Sequence, residues 1–248
     1  GSRLESNAVG LQTSGSATAT LDDVAAVSPG VGVLAGGDGS VSVTTARFEA
    51  PDGGIQAVAL VERSGASVSG TSPRVGLLVT TGGASSIVGT TLLDAQIGLQ
   101  IAGAASTQVS ENVVTGAGVG VLVADTASPA IAANTIESAD IGIQVAGSST
   151  AQVTDNTVAP SRIEMLVSGS ATPDVRRNDL SATDVTIQVE QNAAPAVADN
   201  DVAGEGAGIV VIGAAEPSIV GNRISSGAIG VQTSSTSRAT VQDNTIND

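Results

Sequence analysis

The sequence predicts an all-β fold: a single-domain right-handed parallel β-helix, or β-solenoid, of about eleven 22-residue rungs. Three observations carry this reading. Asparagine recurs at a constant step through Asn112, Asn134, Asn156, Asn178, Asn200, Asn222 and Asn244. Eight positions beyond that column, glycine recurs at Gly120, Gly142, Gly208 and Gly230, and the same column runs back through Gly98, Gly76, Gly54, Gly32 and Gly10. Between these markers, apolar residues alternate with small or polar ones at the period of a strand with one buried face.

A fixed repeat of this length, with no strong helical period, is the signature of a solenoid. In "NTIESADIGIQVAGSSTAQVTDN" (134–156), Ile141, Ile143 and Val145 alternate with Gly142 and Gln144. Ile136 and Val153 mark two further short strands, separated by Gly, Ser, Thr, Asn and Asp. Three strands per rung, stacked at about 4.8 Å, give a rod on the order of 50 Å long. Left-handed β-helices run on six-residue units; 22 is not a multiple of six, which favours the right-handed coil.

The chain fits this frame as one domain over 9–248, with 1–8 read as a cloning scar and partial first rung. Each rung offers about five inward aliphatic positions, each worth roughly 1.5–3 kcal/mol when buried. The asparagine column is expected to form a structural ladder, because an amide has two donors and an acceptor and its neighbour lies one rung away. Asparagine also tolerates the left-handed backbone of sharp turns. Val24, Ala46, Val68 and Thr90 occupy the column in the first rungs, so that end is built differently.

Composition excludes several functions. The 248 residues contain no Cys, His, Trp, Tyr or Lys, one Phe (Phe48) and one Met (Met165). A net charge of −15 opposes binding to nucleic acid. No apolar run is long enough to cross a bilayer as a helix, so direct insertion into a membrane by a helix is not expected.

The frame "N-x-[IV]…[IV]-G-[IV]-x-V…[IV]-x-x-N" resembles the parallel β-helix repeat of the pectate-lyase-like superfamily, strongly over 97–248 and less so over 9–96. That superfamily includes polysaccharide lyases, hydrolases, epimerases and periplasmic NosD-type proteins. The resemblance implies catalytic sets built on histidine or lysine, neither of which occurs here. It also leaves an arginine base, with Arg162, Arg176 and Arg177 as candidates, acting on an acidic polysaccharide.

Glu164 and Thr186 interrupt the glycine column. Taken as outward-facing, Glu164 lies roughly 14 Å from Glu190, too far for a hydrolytic pair. An exposed ion pair with Arg162, two residues earlier, is the expectation, worth about 0–1 kcal/mol. Arg162 also falls between Asp140 and Asp184 in its column, and Arg177 between Asp155 and Asp199. Asp155, Asp179, Asp199 and Asp201 form a weak candidate calcium cluster, with Arg176 and Arg177 nearby to neutralise it.

Two residues after the glycine column, glutamine recurs at every second rung: Gln12, Gln56, Gln100, Gln144, Gln188 and Gln232, alternating with Leu34, Leu78, Leu122, Leu166 and Val210. This is an outward stripe suited to an extended polymer or to another subunit. Candidate ligand-binding residues are therefore Glu164, Thr186, Gln144, Gln188 and Arg162, with no catalytic set and no cofactor. The functional expectation is a non-catalytic extracellular or cell-envelope module, a sensor, recognition or stalk domain of a larger protein with further domains. Its partner would be a glycan, a cell-wall ligand or a protein, met through the solenoid's face or ends. A lyase or hydrolase of acidic glycans and a purely structural spacer are the alternatives.

Overall fold

The computed structural model describes residues 84–234 and 236–247 without a break. N-terminal to these it describes 2–5, 9–13, 18–27, 31–35, 40–49, 53–57, 59–62, 66–68 and 74–80. Residues 1 and 6–8 of the expected scar lie outside the described residues, as do the side chains of Leu34 and Gln56.

Among the described residues every element is a strand, and the strands pair in parallel. A regular rung contributes three strands to three ladders, here called faces C, A and B in chain order. For one rung these are Thr135–Glu137, Ile141–Val145 and Gln152–Thr154. Each strand pairs with its equivalents one rung before and one rung after: Ile141 with Val119 and Ile163, Val153 with Ile131 and Val175. About eight turns of solenoid result, against the eleven rungs expected from sequence. N-terminal to residue 74 the face-A ladder continues as three more paired strands, Val9–Thr13, Val31–Ala35 and Gly53–Ala57.

The 22-residue register holds throughout face A, but faces B and C break it near the N-terminus. Val61 pairs with Ser86, and Val68 pairs with Leu92 where the constant step would have given Thr90. Val68 therefore does not share a column with Thr90, contrary to the uninterrupted frame expected. In the same region Thr18–Val27 and Ser40–Glu49 each run through faces B and C as one strand, so that corner of the coil is absent there.

The core is a stack of aliphatic columns. Ile136 from face C, Ile143 and Val145 from face A, and Val153 from face B are all fully buried, with Ala151 filling the corner between A and B. Equivalent residues repeat in neighbouring rungs; Ile141, read from sequence as inward with Ile143 and Val145, is only half-buried, and Ala151 takes the fifth inward position.

Corners need left-handed backbone, and three columns supply it, one of them between C and A. Between A and B these are Gly103, Asp125, Gly147, Gly169, Gln191 and Gly213, with φ from 58° to 73°. Between B and C the left-handed residue is the one before each asparagine, as at Glu111 (φ 58°), Ala133 (φ 55°), Asp155 (φ 56°) and Arg177 (φ 52°). The asparagines themselves do not adopt it, which corrects the turn role expected for them.

Their role is the ladder. Oδ1 of Asn134 accepts from the backbone N–H of Asn112 (3.0 Å) and from its Nδ2 (2.9 Å). Asn134 Nδ2 in turn donates to Asn156 Oδ1 (2.9 Å) and to the carbonyl of Val109 (3.0 Å). The pattern repeats to Asn244. It starts at Thr90, whose N–H donates to Asn112 Oδ1 (2.9 Å) while its own buried hydroxyl has no partner.

Candidate functional site

Each face-A strand of a regular rung has glycine as its second residue for a steric reason. A Cβ built on Gly120 would stand 2.6 Å from Ile136 Cγ2 and 2.5 Å from the carbonyl oxygen of Gly142. The aliphatic residue of face C, sixteen positions on, already fills that corner. The same holds at Gly208 against Ile224 Cγ2 (2.7 Å). The glycine column thus points into the coil and not outward.

Glu164 and Thr186 stand in that column, and both are completely buried. The chain makes room by losing a corner. Asp94, Gly116 and Ser138 turn from face C to face A with φ of 55°, 70° and 55°. In the next rung this position is Pro160, whose ring fixes φ near −65° and forbids the left-handed turn. Faces C and A then merge into single strands, Thr157–Val167 and Asp179–Val189. Their pairing slips between Val158, Ser161 and Ile163, marking the bulge that replaces the turn.

Inside the opened corner, Glu164 Oε1 accepts from the backbone N–H of Ser161 (2.8 Å). Its Oε2 and the Ser161 hydroxyl are buried without a partner. Burial pushes the carboxyl up to about 7, partly opposed by the hydrogen bonding of Ser161. Thr186 Oγ1 donates to the carbonyl of Ala203 (2.7 Å) and is satisfied. A carboxyl poised near neutrality suits an acid catalyst, but this one is sealed from solvent. The outward carboxylate expected at 164 is thereby corrected.

Arg162 does not pair with Glu164. Its guanidinium lies 3.7 Å from Asp184, both side chains more than half exposed. Arg177 forms a two-pronged bond with Asp155 (2.8 and 2.9 Å), which lowers the Asp155 pKa below its ordinary value and raises that of Arg177. Arg176 Nε bonds Asp174 at 2.6 Å. Of the acidic cluster, Asp155 is thus taken by Arg177, while Asp179 and Asp201 are exposed neighbours in one ladder. Among the described residues no group of three or more His, Cys, Asp or Glu side chains is placed to hold a metal ion.

Gln144 and Gln188 do lie on one outer surface. They alternate in register with Leu122, Leu166 and Val210 along face A, and all five are half-buried. Gln188 Nε2 also donates to Glu190 Oε2 (3.0 Å). Across the five proposed residues, then, Gln144, Gln188 and Arg162 reach the surface, and Glu164 and Thr186 do not. A hollow of about 260 Å³ on face B, lined by Gln108, Val109, Ser110, Ala130 and Ala132, was missed. The signal was the pair of small outward residues at 130 and 132, between Gln108 and Gln152 on adjoining rungs.

The model of the family described as "Periplasmic copper-binding protein (NosD)" matches residues 2–159 and again 140–248. No curated protein matches the chain. Among solved structures, a DFA-IIIase from Arthrobacter chlorophenolicus A6 in complex with GF2 aligns at 13% identity and a TM-score of 0.34, covering 90% of this chain and 69% of that one. Copper sites are built from imidazole, thiolate and thioether ligands. These residues contain no histidine or cysteine, and the one methionine, Met165, is fully buried in the core, so the donor set does not fit the metal.

Proposed function

The chain belongs to the NosD family, and from that premise we propose that it is a non-catalytic binding module of the bacterial cell envelope. It presents the outer surface of face A to an extended partner. One observation carries this reading. Across the eleven five-residue face-A segments, from Val9–Thr13 to Ile229–Thr233, the sole charged residue is Glu164, and it is buried; Arg162, Asp184 and Glu190 flank the face at its corners. A chain with 24 acidic residues and a net charge of −15 thus keeps one long surface of amides and aliphatics free of charge. Binding surfaces are depleted of charge at their centre in the same way.

Thermal unfolding followed by far-UV circular dichroism tests the proposal, since no Trp or Tyr is available for fluorescence. The panel comprises cell-wall oligosaccharides, calcium against chelator, copper, and a series of protein concentrations. A partner present at about 100 times its dissociation constant adds roughly 2.7 kcal/mol of stability. A midpoint raised by an oligosaccharide or by protein concentration, and no longer raised in Leu122→Asp, is the expected result. Copper is expected to give no shift. Midpoints indifferent to the whole panel would sink the reading.

A further inference from the structure

We infer that face A is the contact surface between two copies of this chain, packed antiparallel about a two-fold axis through the Leu122 row. This rests on the reading of face A as the binding surface and names its partner.

The first argument is electrostatic. Two molecules of net charge −15 repel wherever their acidic turns meet. The five-residue face-A segments carry no charge but the buried Glu164, and the flanking Arg162 and Asp184 pair with each other, so two copies can close there with few like charges between them. The second is chemical. From Leu78 to Gln232 the eight side chains of the glutamine–aliphatic column are all half-buried or exposed. A second column, Val75 to Ile229, is aliphatic at every rung and partly exposed at all but Ile163. Sugar-binding surfaces draw on aromatic stacking, and this chain has no Trp or Tyr.

The third argument is symmetry. A two-fold interface requires a surface complementary to itself. Read along the rod, the column runs Gln12, Leu34, Gln56, Leu78, Gln100, Leu122 and then Gln144, Leu166, Gln188, Val210, Gln232, successive members being in register. The order is the same from either end about Leu122. In an antiparallel pair the backbone register sets every glutamine position opposite a glutamine position, and amides are both donor and acceptor. Every aliphatic row meets an aliphatic row. Eleven strands of five residues span about 53 by 16 Å, or about 850 Å² per copy, against the roughly 800 Å² per partner that a stable pair buries.

Sedimentation of the full chain over a wide concentration range tests this. The expected mass is twice 23.9 kDa. Leu122→Asp, which sets two like charges on the axis, should weaken association by about 100-fold or more while leaving the dichroism melt of the monomer intact; Gln144→Arg serves if that variant fails to fold. Because the chain has no cysteine, single replacements report orientation. Leu122→Cys should cross-link to itself on oxidation, and Gln232→Cys only when mixed with Gln12→Cys. A species monomeric at every concentration, a dimer that survives Leu122→Asp, or self-linking of Gln232→Cys would each overturn the inference. A monomer that an oligosaccharide stabilises, with the effect lost in Leu122→Asp, rejects the second copy but keeps face A as the binding surface; a monomer that nothing stabilises rejects both.

Discussion

Segments 135–145 and 157–167 have the same length and pair with each other, yet one turns a corner where the other runs straight. In the first, Ser138 takes a left-handed φ and Gly142 leaves its Cβ space to Val158. In the second, Pro160 cannot turn, the two strands fuse, and Glu164 occupies the corner. The difference shows that the glycine column is a consequence of the corner and not an independent requirement of the repeat. Where the turn is closed, only a hydrogen fits; where it is open, a side chain as long as glutamate is enclosed.

The sharpest way to break the comparison is to place the side chain of the open rung into a closed one. Gly120→Glu should cost about 4 kcal/mol or more in urea unfolding, because it overpacks against Ile136 and buries a carboxyl. Adding Gly116→Pro, which recreates the residue four positions upstream of Glu164, should make the double variant less unstable than the sum of the singles. Strict additivity would mean that the proline does not open the corner.

Next in size is the ladder that both kinds of rung share. Asn178→Ala strands the N–H and Nδ2 of Asn156 and the carbonyl of Val153. A loss of about 3 kcal/mol is expected at any pH between 5 and 9, and a loss below about 1 kcal/mol would show that water replaces the amide.

Glu164 gives a pH-dependent term of similar size. Its carboxyl is raised from 4.5 to about 7 in the folded chain, so the folded state holds its proton more tightly than the unfolded state. That contribution is fully present below pH 4.5 and is lost as the pH rises through 7. Between pH 4 and pH 8 the stability of the wild type relative to Glu164→Gln should therefore fall by roughly 3 kcal/mol. A constant difference across that range would mean that the carboxyl is solvated. The smallest effect belongs to Arg162→Ala, which removes an exposed 3.7 Å pair and should change stability by less than about 0.5 kcal/mol.

These contrasts also mark what could be read before the fold was known. The 22-residue register, the strand periodicity and the asparagine ladder were legible because each repeats one residue type, or one class, at a fixed interval. The direction of Glu164 was not. Strict alternation sets Gly142 and Gln144 on the same side of the strand, but the backbone bends at the glycine and turns that position into the corner. Pro160 was the available clue, since a residue that cannot take positive φ interrupts a column of residues that do. The left-handed column before the asparagines was hidden for another reason: Glu111, Ala133, Asp155 and Arg177 share no side-chain chemistry, only a backbone state. The N-terminal slips at Val61 and Val68 escaped notice because face A keeps its 22-residue step across them.

The ladder has a mechanical consequence. Each asparagine hands its donors to the next rung in the same direction, so the chain of amides is polar and load passed along it is shared in series. Pulled from its C-terminus, the rod should yield one rung at a time, each releasing about 75 Å of chain, with similar force from Asn244 back to Asn112. Beyond Thr90, where the sequence holds no asparagine from residue 8 to residue 111, the resisting force should drop.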